Sequence, residues 1–154
     1  MREALILARR AASEGETPVG CVIVSPDGAI IGRGYNRTEA VDATCHAEME
    51  AIRDASKNLG TWHLDGCSLF VTMEPCPMCA GAILNSRISR LCYGTKDSRA
   101  GSCGSVINLF MEGYGRSPEI YGGILEEKCR ELLSGFFKEI RSSKDNNYTN
   151  RKNS

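Results

Sequence analysis

A chain of 154 residues is the size of one compact domain. Its 42% hydrophobic and 25% charged content is that of an ordinary globular protein, which excludes a fibrous or low-complexity chain. Nineteen basic residues balance 19 acidic ones, so a broad positive field for coating nucleic acid is excluded, and any such contact must be local and shaped.

In chain order, Met1–Glu16 holds a short apolar stretch broken by Arg9 and Arg10 and lacks a clear cleavage site. It reads as an amphipathic helix, not a signal peptide. Ala4, Leu5, Leu7, Ala8, Ala11 and Ala12 share one face over residues 3–14, and Gly15 stops the helix. Val19–Val24 is a buried strand, Ser25-Pro26-Asp27-Gly28 a turn, and Ala29–Tyr35 the returning strand of a hairpin. A polar loop spans Asn36–Ala43. Thr44 is the expected cap of a helix reaching Leu59 and closed by Gly60, with Ala47, Ala51, Ile52, Ala55 and Leu59 on its apolar face. Ser68–Met73 is a strand. Pro75 or Pro77 opens the next helix, through Ala80, Ala82, Ile83 and Leu84. Ile88–Tyr93 is a strand, Val106–Met111 a short helix, Glu119–Tyr121 a strand, and Leu125–Arg141 a final helix. Leu125, Leu132, Leu133, Phe136, Phe137 and Ile140 are that helix's apolar set.

This order predicts one α/β domain over residues 1–141, with a five-stranded mixed sheet covered by helices on both faces. Residues 142–154 are polar without apolar period and are expected to be a disordered tail, mildly basic through Lys144, Arg151 and Lys152. No apolar run approaches the roughly 20 residues of a membrane span. The expected location is the cytoplasm.

Eight cysteines suggest a disulfide framework, but such frameworks favour small secreted domains. Cys21, Cys67 and Cys92 lie inside apolar strand-like runs, where free cysteine acts as a small hydrophobe. Only Cys76 and Cys79 have metal-type spacing. The cysteines are therefore expected to be reduced.

Two fragments carry chemistry, Cys45-His46-Ala47-Glu48 and Glu74-Pro75-Cys76-Pro77-Met78-Cys79. Each begins a predicted helix. Cys76 and Cys79, three apart, share a face. His46 and Glu48, two apart, would diverge within a regular helix but can converge on a point just beyond its end. Two helix N-termini aimed at one point favour anions there, including thiolates. One histidine and two cysteines suit zinc over magnesium or calcium. Three protein ligands leave the fourth tetrahedral position open for water, and zinc lowers that water's pKa to about 7. Glu48 is placed to carry its proton. Taken alone, the CxxC pair also fits a redox pair or half of a closed structural site, for which Cys45 or Cys103 could supply a fourth ligand.

The joint pattern of His-x-Glu and Pro-Cys-x-x-Cys resembles the zinc deaminases that act on nucleobases. The likeness extends to Gly15–Gly20, Gly34–Arg37, Ala43–Glu48, Gly60–Trp62, Val71–Ala82, Tyr93–Asp97, Gly101–Ser105 and Leu133–Phe137. Over roughly residues 3–141 the chain resembles the bacterial tRNA adenosine deaminase family. The resemblance implies a cytidine-deaminase-like three-layer α/β/α fold and one zinc on His46, Cys76 and Cys79, with Glu48 as proton shuttle. It implies a homodimer that converts adenosine to inosine at the wobble position of an arginine tRNA, with the anticodon stem-loop as partner. It assigns Asn36 to hydrogen-bonding the flipped base, Asp97 to a neighbouring ribose, the main chain of Ala47 and Pro75 to the reacting amine, and Phe137 to the anticodon loop. The zinc motifs alone also fit deaminases of free guanine, cytosine or deoxycytidylate. Two departures stand out: Gly115-Arg116 replaces a frequent Asn-His pair, and Cys45 replaces a usual alanine.

Overall fold

The computed structural model describes the backbone of residues 1–152 and the side chains through Ser143. The elements are α1 (Arg2–Ser13), β1 (Gly20–Val24), β2 (Ile30–Tyr35), α2 (Ala47–Leu59), β3 (Ser68–Met73), α3 (Pro77–Asn85), β4 (Arg90–Thr95), a single 3-10 turn (Leu109–Met111), β5 (Glu119–Tyr121) and α4 (Glu126–Lys152). One sheet runs in the order β2-β1-β3-β4-β5. The hairpin β1–β2 and the pair β1–β3 are antiparallel, while β3–β4 and β4–β5 are parallel. Helices α1 and α4 cover one face, and α2 and α3 the other. The fold is the three-layer α/β/α arrangement with a mixed five-stranded sheet.

Strand β1 lies inside the sheet between β2 and β3 and is buried along nearly its whole length, so its run Gly20–Val24 shows no polar alternation. Cys21, Ile23, Leu69, Val71 and Leu91 form the core with Ala47, Ala51 and Ala55 of α2. Each of the larger side chains contributes roughly 1.5–3 kcal/mol by leaving water. Small residues let α2 lie directly on the sheet. A Cβ at Gly34 would stand 2.2 Å from the carbonyl oxygen of Ala47 and 2.5 Å from the nitrogen of Ala51. Gly34 thus brings the start of α2 down beside the end of β2.

Strands β2, β3 and β4 share one direction. Their C-terminal ends deliver Asn36, Glu74 and Lys96 to one edge of the sheet, the edge at which open α/β sheets bind ligands.

Four expectations change. Helix α2 starts at Ala47 with His46 as its N-cap, because Asp42 takes both the N–H and the hydroxyl of Thr44 in a local turn. Strand β4 begins at Arg90 and reaches Thr95, two residues later at each end than periodicity indicates; residues 86–89 are spent on closing α3, with Arg87 at φ 63°. The short helix at Val106–Met111 shrinks to Leu109–Met111, since Val106 and Ile107 send their N–H groups back to Gly101. Residues 142–152 continue α4 instead of forming a tail. Hydroxyls of Ser142 and Ser143 bond the carbonyls of Lys138 and Glu139 four residues back, and the main chain keeps its helical course through them. Residues 153–154 and the side chains of Lys144, Arg151 and Lys152 lie outside the described residues.

All eight cysteines are free, as expected. No helix among the described residues is long and apolar enough to cross a membrane.

Candidate active site

His46 and Cys76 occupy equivalent places. Each is the N-cap of its helix with extended backbone, at φ −77°, ψ 154° and φ −75°, ψ 172°. The His46 side chain makes no capping bond to its helix, and the Cys76 sulfur meets α3 only at Cys79 in the first turn. Each is free for a shared point between the two N-termini. Cys79 enters from the first turn of α3, where Pro77 costs no hydrogen bond. The extended N-cap also removes the difficulty of a two-residue spacing: His46 stands outside the helix that carries Glu48.

The Nδ1 of His46 lies 3.6 Å from the sulfur of Cys76 and 3.6 Å from that of Cys79. The three ligand atoms lie within 4.8 Å of one another. Zinc bonds of about 2.3 Å to sulfur and about 2.0–2.1 Å to nitrogen, at tetrahedral angles, separate those atoms by about 3.6 Å. The side chains are therefore spaced as zinc requires, and no fourth His, Cys, Asp or Glu joins them among the described residues. Cys45 and Cys103 stay out of the group. Three protein donors are the number found in catalytic zinc sites rather than in closed structural ones. The site is a zinc site.

The electrostatics agree with the donor set. Cys76 is held down at about 4, first by the hydrogen bond from the Cys79 thiol and then by that from His46. Cys79 is pushed up by the same shared proton and by burial. Both shifts follow from the closeness of the two sulfurs, a donor pair that a metal cation would hold. Glu48, 3% exposed, is raised to about 7, chiefly by burial and also by the negative charge of Cys76.

Above the ligands opens a cleft of about 580 Å³. Asn36, His46, Glu48, Cys76, Asp97 and Phe137 line it. Cys79, Ala47 and Pro75 stand behind its surface. The Ala47 N–H is bonded to Asn36 Oδ1 at 2.9 Å, and the Pro75 carbonyl accepts the N–H of Ser102 at 2.9 Å. Asn36 therefore caps α2 where His46 does not, and its amide nitrogen remains as a donor. Asp97 accepts the N–H of Arg99 at 2.9 Å, closing a local turn with one of its two oxygens. Phe137 is 37% exposed at the rim, and Phe136 packs against it edge-on at 5.5 Å.

Sequence reasoning missed two buried carboxylates. Glu16, 2% exposed, accepts the N–H groups of Glu39 at 3.1 Å and Ala40 at 2.9 Å. Glu74, 3% exposed, accepts from Asp97, Cys103 and Ser105. Burial pushes Glu74 up, but these donors, the Ser105 hydroxyl first, hold it below the usual carboxylate range. Both residues sit in segments quoted for their resemblance, yet the donors are distant in the chain, and no local pattern announces them. Arg116, the departure from the family pattern, pairs with Asp65 at 3.0 Å.

Residues 1–95 match the family model for the cytidine and deoxycytidylate deaminase zinc-binding region. The chain is 44% identical over 146 residues to the tRNA-specific adenosine deaminase of Bacillus subtilis (strain 168), covering 94% of this chain and 90% of that protein. It is 46% identical over 142 residues to a Deinococcus radiodurans protein named tRNA(Ile)-lysidine synthase; the match takes in 92% of this chain but only 24% of that longer protein. A solved structure from a study of wobble A-to-I editing by tRNA:A34 deaminases superposes with TM-score 0.82 at 43% identity, covering 86% of this chain and 97% of that one. With the ligand geometry in place, these matches establish that the chain belongs to the zinc-dependent cytidine and deoxycytidylate deaminase family, in its tRNA-specific adenosine deaminase branch.

Proposed function

We propose that this enzyme hydrolytically deaminates adenosine to inosine at the wobble position of an arginine tRNA, with the anticodon stem-loop as substrate. The observation that carries the reading is the His46-Cys76-Cys79 group with Glu48 beside it at the floor of a cleft, in a chain 44% identical to a tRNA-specific adenosine deaminase.

In this reading His46, Cys76 and Cys79 hold zinc, which when bound supplies the Lewis acidity that makes water a usable nucleophile near neutral pH. The flipped adenine enters the cleft. The amide nitrogen of Asn36, left as a donor by the bond from Ala47 to Oδ1, orients the purine through a ring-nitrogen acceptor. Glu48 receives the proton of the attacking water and passes it to the ring nitrogen, while the oxygen bonds to the carbon bearing the amine. Glu48 then takes the proton of the newly added hydroxyl and delivers it to the departing amine, so that the oxygen becomes a carbonyl as the carbon–nitrogen bond breaks and ammonia leaves. Main-chain atoms of Ala47 and Pro75 form the wall behind that amine. Asp97 keeps one oxygen for a ribose hydroxyl, and Phe137 offers a ring to the loop at the rim.

A homodimer is part of the same reading. Trp62, Leu84, Leu109 and Tyr114 share one surface depression, with Trp62 58% and Tyr114 63% exposed. Its exposed aromatic side chains, set among Asn85, Arg87 and Arg116, fit a second copy. Sedimentation of the pure protein reads its state directly.

The deciding assay measures ammonia and inosine from an anticodon stem-loop and from free adenosine, guanine, cytosine and deoxycytidylate. Turnover of the stem-loop alone, with one zinc per chain, is expected. Turnover confined to a free base or nucleotide overturns the reading.

A further inference from the structure

Glu74 takes no part in the chemistry above, yet it joins two parts of the site. It follows β3 directly and precedes the ligand Cys76 by two positions. Its Oε1 accepts the N–H groups of Cys103 at 2.8 Å and Ser105 at 3.2 Å. Its Oε2 accepts the N–H of Asp97 at 3.0 Å and the hydroxyl of Ser105. All four donors belong to residues 97–105, and Asp97, Ser98, Arg99 and Ala100 of that segment line the cleft. The segment is wound closely on the carboxylate. A Cβ at Gly101 would stand 2.5 Å from Glu74 Cδ and 2.5 Å from the carbonyl oxygen of Asp97. A buried carboxylate is costly unless donors surround it, so carboxylate and segment hold each other in place.

We propose that Glu74 is a positioning residue that ties this wall of the cleft to the metal floor and so sets the affinity for the RNA loop, acting through Asp97. The proposal rests on the functional reading above. Hydrogen-bond chemistry makes it specific. In Glu74→Gln only one edge of the side chain remains an acceptor, and the other presents an N–H₂ group. Keeping the bonds from Cys103 and Ser105 turns that N–H₂ toward the Asp97 N–H, a donor against a donor. The Ser105 hydroxyl can rotate and accept, but a backbone N–H cannot. Asp97 is the contact released. Gly101→Ala strikes the same contact from the loop side and leaves Glu74 intact.

The test uses zinc-loaded wild type, Glu74→Gln and Gly101→Ala with an anticodon stem-loop RNA. Both variants are expected to keep one zinc per chain, to raise KM about tenfold and to hold kcat within about threefold of wild type. Backbone amide hydrogen exchange at Asp97, Cys103 and Ser105 is expected to quicken about tenfold or more, with β3 and β4 unchanged. In an Asp97→Ala background, Glu74→Gln should add less than about threefold to KM, because the two act through one contact. Unchanged KM and exchange in the folded variants overturn the proposal, as does a fall in kcat at constant KM. Additive effects of Glu74→Gln and Asp97→Ala overturn the route through Asp97. If Glu74→Gln does not fold, Gly101→Ala decides on the same readouts. If wild type turns over no stem-loop, the functional reading fails, and the exchange measurement still decides whether Glu74 holds the wall.

Discussion

At the floor of the cleft, His46 and Cys76 are fixed at the helix starts they precede, and Glu48 and Cys79 follow within two and three residues. At its walls, the segments carrying Glu39 and Asp97 are held by carboxylates 23 to 31 residues away, Glu16 for one wall and Glu74 for the other. The floor is a local construction in which backbone geometry aims each side chain. The walls are loops, and their positions depend on single buried acceptors. Damage to the floor should therefore remove the reaction, whereas damage to the walls should change which substrate is bound and how tightly.

The largest effect is expected from the ligands. Cys79→Ala should lose zinc and reduce turnover more than about 10⁴-fold, because neither the Lewis acid nor its position survives. The melting temperature should fall toward that of chelator-treated wild type, since binding to the folded state alone contributes stability. Full zinc occupancy in the variant, read by elemental analysis, would remove Cys79 from the floor.

Glu48→Gln separates chemistry from metal within the floor itself. The shape is kept and the ligand atoms are untouched. One zinc per chain and a normal melting temperature are expected, with kcat lower by about 10²–10⁴-fold. A variant that keeps a substantial fraction of wild-type kcat contradicts the shuttle role.

The same contrast decides how much a single sequence reveals. The clustering of His46, Cys76 and Cys79 was legible because helix-start chemistry is local: Pro77 marks N1 of α3, and a three-residue spacing puts both cysteines on one face. The strands β3 and β5 were legible to the residue from apolar patterning. The start of α2 was not, because Asp42 competes for Thr44, a contest between two good local hydrogen-bonding options. The carboxylates Glu16 and Glu74 were not legible at all as anchors. Each looks like any acidic residue until the fold brings distant N–H groups to it. The extension of α4 past Ser142 was hidden for another reason: the sequence there is polar and offers no apolar period to read.

Glu16 offers a test of the wall that Glu74 does not touch. It accepts two N–H groups from consecutive residues, against four donors for Glu74. Glu16→Gln can keep one of its two bonds. KM for the stem-loop is expected to rise less than about tenfold, with zinc content and kcat near wild type. A larger loss in kcat than in KM would place Glu16 with the floor and break the division.

The smallest effect concerns selectivity at Asp97. A carboxylate in a nucleic-acid site is repelled by phosphates and needs a compensating donor. The ribose 2′-hydroxyl is such a donor and is absent from DNA. Asp97 spends one oxygen on the Arg99 N–H, so only the other is free for a sugar. Asp97→Asn keeps the turn, because the amide carbonyl can accept the same N–H, and removes only the charge. A hydrogen bond to a charged acceptor contributes about 1 kcal/mol more than one to a neutral acceptor, which is about fivefold. The ratio of kcat/KM on matched RNA and DNA stem-loops should therefore fall about fivefold in Asp97→Asn through the weaker bond to RNA, and further through a rise on DNA, where the charge has no partner to offset its desolvation. An unchanged ratio would make Asp97 a turn residue only, and selectivity for RNA would then belong to contacts elsewhere in the cleft.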